Sequence, residues 1–224
     1  MKKAISMILT AAMFFTSASS TVIRAGELKA GGIEQKFCFS DSTPGYDVLA
    51  SLDAGSITIE YSDGTLVDEY LHDEIVQKLI NRNISEIVDI MLKHGLSLET
   101  QERVPSLARS DEWTTTITRV DSHLLNDLNG GGWKIEGITT MQGVFTFSNG
   151  KVYASGSPRI TQSFFVGTGW DITASNISTG YTGVANNTAV NMWGGYDLRA
   201  SFIHNHLPLA HANFGRVNVS HRIA

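Results

Sequence analysis

Apolar and polar residues alternate with two different periods along this chain. Over residues 56–61, Ser-Ile-Thr-Ile-Glu-Tyr alternates with a period of two, which predicts a half-buried strand. The dipeptide Asp63-Gly64 follows and favours a tight reversal. From Tyr70 onward, apolar residues recur at helical spacing with one pause, so the pattern predicts two amphipathic helices, roughly 68–81 and 84–94.

The ends of the second helix carry recognisable signals. Asn83 and Glu86 have the spacing of a capping box, in which each side chain accepts from a backbone N–H of the first turn. Lys93 and His94 precede Gly95, which is typical of a helix that ends in a left-handed residue with positive charge in its last turn.

Beyond Pro105 the pattern becomes almost wholly strand-like. Residues 113–120 and 133–141 alternate and are rich in threonine, which predicts strands. Asn149-Gly150 separates two further alternating runs and suits the positive φ angles of a type I′ turn, so a β-hairpin is expected there. Further short strands are predicted at 159–166, 169–174, 189–193, 197–204 and 213–220.

These patterns predict an α+β fold: a short helical pair packed on a predominantly antiparallel β-sheet region, sandwich-like or barrel-like. The expected organisation is a leader at residues 1–20, a strand-helix-helix region at 21–110 and an antiparallel β-rich region at 111–224. The last two regions form either separate domains or one continuous domain.

The first residues have the form of a secretory signal peptide. Lys2 and Lys3 precede the apolar run 4–15, and a stretch of small residues ends at Ser20. The run is shorter than the roughly 20 apolar residues of a membrane-spanning helix. The sequence therefore predicts export, to the periplasm or the outside, without a stable transmembrane anchor.

Charge is distributed unevenly along the chain. From residue 141 onward there are five basic residues and two acidic ones, a net charge of +3, whereas residues 21–140 carry −10. So few charges do not make the clustered basic face of a nucleic-acid-binding protein, and no nucleic-acid partner is expected. Cys38 is the only cysteine, which excludes an intramolecular disulfide and favours burial of its thiol between Phe37 and Phe39.

Familiar catalytic motifs are absent: the chain has no HExxH, no Gly-x-Ser-x-Gly and no P-loop. Residues 214–223, Phe-Gly-Arg-Val-Asn-Val-Ser-His-Arg-Ile, resemble the Ser-His-Gly-Cys-Ile-Arg signature of the L,D-transpeptidases over barely ten residues. The nucleophilic cysteine of that signature and its glycine are missing here, so no acyl-enzyme is expected.

Four of the seven histidines lie within residues 202–221. On a strand, His204 and His206 would leave from the same face, and two such imidazoles make half of a zinc or copper site. His211 or His221 could complete it after a turn. The competing interpretation is that these histidines are incidental side chains of strands.

Aromatic residues in the weakly charged C-terminal half suggest a different kind of site. Trp170, Tyr181, Trp193 and Tyr196 lie among Asn, Thr, Ser and Gly, with Asp197 beside them. Aromatic rings can pack on apolar C–H groups of a ligand while amides and a carboxylate bind its polar groups. The alternative is that these rings fill the core of a sandwich.

The most favoured function is therefore that of a secreted or periplasmic non-catalytic binding protein without a cofactor. It would act at the cell envelope or on an extracellular glycan, peptide or protein. The first alternative is a metal-binding protein or metal-dependent hydrolase that uses His204, His206 and His211 with zinc or copper. A toxin or pore-forming component is a further alternative, because long Thr/Ser-rich strands also serve membrane insertion.

Overall fold

The computed structural model describes residues 39–104 and 112–224. This part of the chain is mostly antiparallel β-sheet with three short α-helices, which confirms the predicted α+β class. The expected leader and Cys38 lie outside the described residues. Among the described helices, none is long and apolar enough to cross a lipid bilayer.

The helices and strands follow one another in a simple order. The helices are α1 (Tyr46–Ala50), α2 (Glu69–Ile80) and α3 (Ile84–His94). The strands are β1 (Ile57–Tyr61), β2 (Leu96–Val104), β3 (Glu112–Asn126), β4 (Lys134–Ser148), β5 (Lys151–Phe165), β6 (Trp170–Gly183), β7 (Val190–His204) and β8 (Leu207–Ile223).

The predicted helical pair is confirmed as α2 and α3. The Asp68 side chain caps α2 by accepting from the backbone N–H of Leu71, and α3 ends at Gly95, whose φ is 65°. The predicted capping box is wrong, because Asn83 makes no side-chain cap. Glu86 instead accepts a hydrogen bond from the ammonium group of Lys78 at 2.6 Å across the turn between the helices.

The β-region is built from fewer and longer strands than the pattern predicted. The expected strands at 197–204 and 213–220 belong to the longer strands β7 and β8. These two strands form an antiparallel hairpin with a short turn between His204 and Leu207. Glycines such as Gly156 and Gly215, both with positive φ, bend the long strands without ending them. The predicted hairpin at Asn149-Gly150 is confirmed, since both residues have positive φ.

The strands form two antiparallel sheets. One has five strands in the order β1-β2-β3-β4-β5, and the other has three in the order β6-β7-β8. The short helix α1 and the strand β2 did not appear in the sequence prediction. Because β2 pairs with β3, the first sheet continues across the boundary expected at residue 110.

The five-stranded sheet is covered on both faces. Helices α2 and α3 pack on one face, against Leu98, Val120 and other apolar residues of the sheet. The three-stranded sheet packs on the opposite face, where Phe145 of β4 meets Met192 of β7. The three-stranded sheet therefore has one face in the core and another that no described element covers.

The loop between β3 and β4 is anchored to β8 through one carboxylate. Asp127 accepts backbone N–H bonds from Asn129, Gly131 and Asn213, at 3.0, 2.9 and 2.9 Å. Burial would raise the pKa of Asp127, but these three hydrogen bonds lower it below its ordinary value. The ionised carboxylate therefore fastens the loop of one sheet to a strand of the other.

Replacing Asp127 by alanine is expected to lower the free energy of unfolding by about 1 kcal/mol at pH 7. This loss is below the roughly 1.5–3 kcal/mol of a hydrogen bond to a charged group, because the loop is partly solvated. Asp127→Asn should lose less, since its amide oxygen still accepts. Urea unfolding measures both, with the exposed Asp171→Ala as control, and equal stability of Asp127→Ala and the unmodified protein would contradict the anchoring role.

Candidate functional site

Side-chain alternation along β7 decides which predicted site residues lie together. Trp193 and Asp197 point away from the core, onto the uncovered face of the three-stranded sheet. Met192, Tyr196 and Leu198 point inward and are fully buried. We call the uncovered surface the open face: it comprises the outward side chains of β7 from Asn191 to Ser201 and their cross-strand partners on β6 and β8.

Three of the five predicted ligand-binding residues lie on the inner side of this sheet. Tyr196 is fully buried, its hydroxyl forms a 2.5 Å hydrogen bond with Thr139, and burial raises its pKa. The ring of Trp170 packs edge-on against Trp133, with ring centroids 4.8 Å apart. These rings stabilise the packing between the sheets, as the core interpretation expected.

Tyr181 shares the inner side because of a bulge in β6. Its ring packs edge-on against Phe145, with centroids 5.4 Å apart. The register between β6 and β7 shifts between Ser175 and Ser178, so odd-numbered residues face outward before the bulge and inward after it. Trp170 and Tyr181 therefore share a face although their numbers differ in parity, which alternation alone could not predict.

The indole ring of Trp193 packs over a glycine on the open face. Gly180 lies directly opposite on β6, and a Cβ atom there would be 2.6 Å from the indole ring. The indole N–H donates to the hydroxyl of Thr182 at 3.2 Å. The ring thus lies across a glycine in a fixed orientation, and 37% of the residue remains exposed.

Polar side chains fill the space beside this ring. A Cβ atom on Gly195 would lie 2.8 Å from the amide oxygen of Asn218 and 3.0 Å from the guanidinium of Arg216. Arg216 in turn donates to Asp197 at 3.2 Å and to Ser178 at 2.7 Å. Because Gly195 has no side chain, the amide of Asn218 and the guanidinium of Arg216 lie close to the backbone of the sheet.

Asp197 is held ionised by its neighbours. The amide of Asn176 donates to its second oxygen at 2.6 Å. This hydrogen bond is the largest cause that lowers the pKa of Asp197; burial opposes it, and Arg216 and Arg199 lower the pKa further. The open face thus combines one exposed indole with a fixed pattern of carboxylate, amide and guanidinium groups.

The histidines proposed for a metal site are not arranged as the sequence suggested. His204 ends β7, but His206 lies in the turn before β8 with φ 63°, so the expectation that both leave one face of a strand is wrong. His211 forms a 2.9 Å hydrogen bond with Ser201. In residues 39–104 and 112–224, no group of three or more His, Cys, Asp or Glu side chains is placed to hold a metal ion.

A charged cluster that the sequence analysis missed lies on the inner side, between β8 and the strands β1 to β3. Arg119 contacts Glu60 at 3.1 Å, Asp121 at 3.0 Å and Glu99 at 3.8 Å. The imidazole of His221 bonds Glu99 at 2.5 Å, and each of these five side chains is at most 25% exposed. The cluster joins β8 to the five-stranded sheet.

Burial and pairing act in opposite directions on the charges of this cluster. Burial raises the pKa of Glu99, but His221, Gln101 and Arg119 together bring it below the ordinary value. Burial likewise lowers the pKa of Arg119, and the carboxylates around it more than compensate. With its charges paired inside the protein, the cluster serves to hold the two sheets together.

The alternation Thr118-Arg119-Val120-Asp121 was the one local signal of this cluster, since it places Arg119 and Asp121 on the same face of a strand. Glu60, Glu99 and His221 are too far away in sequence for any spacing rule to join them. Only the pairing of β1, β2 and β3 and the approach of β8 bring them to Arg119.

Comparisons of the chain with protein-family models, curated proteins and solved structures found no match. A fold by itself does not determine a function, so the function has to be inferred from the geometry and chemistry of the sites. Of the two sites, the charged cluster is enclosed and internally paired, whereas the open face presents an aromatic ring and polar groups to solvent.

Proposed function

We propose that this protein is an exported, non-catalytic binding protein that takes a glycan on the open face of its three-stranded sheet. The observation that supports this proposal is the packing of Trp193 over Gly180, next to Asn218 and Arg216. An exposed indole can pack on the C–H groups of a sugar ring while the neighbouring amide and guanidinium bind its hydroxyls.

The shape of the open face favours an extended ligand. Small molecules are usually bound in clefts that enclose most of their surface. Two clefts of the described part of the chain lie elsewhere, one near Arg82 between α1 and α3 and another near Pro44 and Phe164. A polymer that lies along the strands needs no such enclosure, because it gains area from its length.

The state of the polar groups favours binding over catalysis. A general base has to be free to take a proton in the reacting complex. Both oxygens of Asp197 accept hydrogen bonds, from Asn176 and Arg216, and its pKa is lowered. This carboxylate is therefore better suited to orienting its polar neighbours than to taking a proton from a substrate.

Trp193→Ala is expected to weaken glycan binding at least about tenfold, which corresponds to about 1.4 kcal/mol of lost contact. A glycan array identifies ligands of the mature protein, and calorimetry on the best ligand measures the change. Tyr153→Ala is the matched control, because Tyr153 is a similarly exposed aromatic residue on β5 of the other sheet. Unchanged affinity of Trp193→Ala would refute the proposal. So would a glycan array that yields no ligand when a peptide library screened in parallel does yield one.

A further inference from the structure

The open face has one more basic than acidic side chain, although the protein as a whole is acidic. It carries Arg199, Arg216 and Arg222 against Asp171 and Asp197, whereas the whole chain has a formal net charge of −5. Since Arg216 is paired with Asp197, the charges that remain for a ligand are those of Arg199 and Arg222, with the exposed Asp171 against them. Local charge of this kind attracts ligands of opposite sign even when the protein as a whole is acidic.

These two arginines are held less tightly than Arg216, although Arg199 is close enough to Asp197 to help lower its pKa. Both are exposed, and within residues 39–104 and 112–224 neither forms a salt bridge or donates a side-chain hydrogen bond. A guanidinium presents a planar fork of N–H donors that matches a carboxylate, sulfate or phosphate group in two hydrogen bonds. The N–H donors of both guanidinium groups are therefore available to a ligand.

The register places the two arginines on opposite sides of Trp193 along the strands. Arg222 pairs with Asn191, two residues before Trp193, and Arg199 lies six residues after it. At about 3.4 Å per residue, the rows that contain them are about 27 Å apart. A single sugar could not reach both, but an oligomer that packs on the indole could.

We propose that the glycan bound on the open face is an acidic polysaccharide, with carboxylate or sulfate groups that pair with Arg199 and Arg222 on either side of Trp193. This inference rests on the proposed function and names its ligand class. Counter-ions leave when such pairs form, so the affinity for an acidic polymer should fall as salt increases.

The test compares polymers of matched length: polygalacturonate for carboxylate, dextran sulfate for sulfate and unmodified dextran as the uncharged reference. The unmodified protein is expected to bind one of the acidic polymers at least about tenfold more tightly than dextran at 50 mM salt. The double variant Arg199→Gln/Arg222→Gln should lose this preference and its salt dependence. Arg159→Gln is the control, since Arg159 is exposed on β5 of the other sheet.

The outcomes separate this inference from the proposed function. If Trp193→Ala abolishes binding while the double arginine variant binds every polymer as before, the glycan function is supported and the acidic ligand is refuted. If single-stranded DNA of equal charge competes as well as the acidic polysaccharide, the face recognises charge alone and the inference is refuted. Circular dichroism on each variant confirms that these exposed substitutions leave the fold intact.

Discussion

Arg119→Met is expected to lower the free energy of unfolding by about 3 kcal/mol at pH 7. The Arg119 side chain is 12% exposed, and its guanidinium faces Glu60, Glu99 and Asp121, whose side chains are at most 25% exposed. Removal of one partner from a buried ion pair costs about 3–5 kcal/mol, because the remaining charge is left uncompensated. Partial exposure of the carboxylates places the expected cost at the lower end of this range.

Two further substitutions test whether charge pairing is the cause. Arg159→Met makes the same chemical change at an exposed arginine of β5 and should alter the stability by less than about 0.5 kcal/mol. Arg119→Lys keeps the charge but not the fork of donors, so it should lose an intermediate amount. Urea unfolding at pH 7 measures all three, and a loss for Arg119→Met no larger than that for Arg159→Met would contradict the assigned role.

The pH dependence of the stability loss in Arg119→Met follows from the ionisation of Glu99. Its pKa is lowered in the folded protein, so its ionised form stabilises the fold above the ordinary pKa of 4.5. This stabilisation is lost as the pH falls through the lowered pKa. Below that pH the carboxyl is protonated and needs no partner, so the stability difference between Arg119→Met and the unmodified protein should narrow in acid.

The second large effect is expected at Gly137, which pairs with Phe164 across β4 and β5. A Cβ atom at Gly137 would collide with the backbone carbonyl of Ser163 and lie 2.8 Å from the Cα of Phe164. Gly137 is not in the left-handed region, so the conflict is one of space. Gly137→Ala is expected to cost about 3 kcal/mol, the upper end for overpacking, because backbone atoms cannot move aside as a side chain can.

Gly183→Ala is the matched control for this prediction. A Cβ atom at Gly183 would meet only the side-chain oxygen of Asn187, at 3.6 Å, which is an ordinary contact. That variant should therefore stay within about 0.5 kcal/mol of the unmodified protein. Thermal and urea unfolding measure the stability of both variants. Similar losses of unfolding free energy at the two glycines would show that Gly137 is not required for the close approach of β4 and β5.

Elements of the fold could be predicted from the sequence where interactions between neighbouring residues determine the local structure. Helices α2 and α3 follow from helical spacing of apolar residues, and Asn149-Gly150 follows from the turn geometry that these residues favour. The capping box at Asn83 failed although its spacing was correct. There the Glu86 side chain pairs with Lys78 of the preceding helix, a contact that the spacing of Asn83 and Glu86 does not encode.

The candidate site could be predicted only in part. Trp193 and Asp197 share a face because they are four residues apart on one strand, and alternation is sufficient to place them together. Tyr196 has the opposite parity, so it belongs in the core. Alternation failed for Tyr181, because the bulge in β6 reverses which side chains face outward.

The sequence by itself determined the α+β class, the helical pair, the β-hairpin and a C-terminal half of low charge, because these depend on the periodicity and composition of neighbouring residues. Only the tertiary structure decided which face of β7 meets solvent and that Arg119 gathers carboxylates and His221 from four strands. The physical reason is that strand pairing and sheet packing join residues as distant as Arg119 and His221, which are 102 positions apart, and no local pattern encodes such a contact.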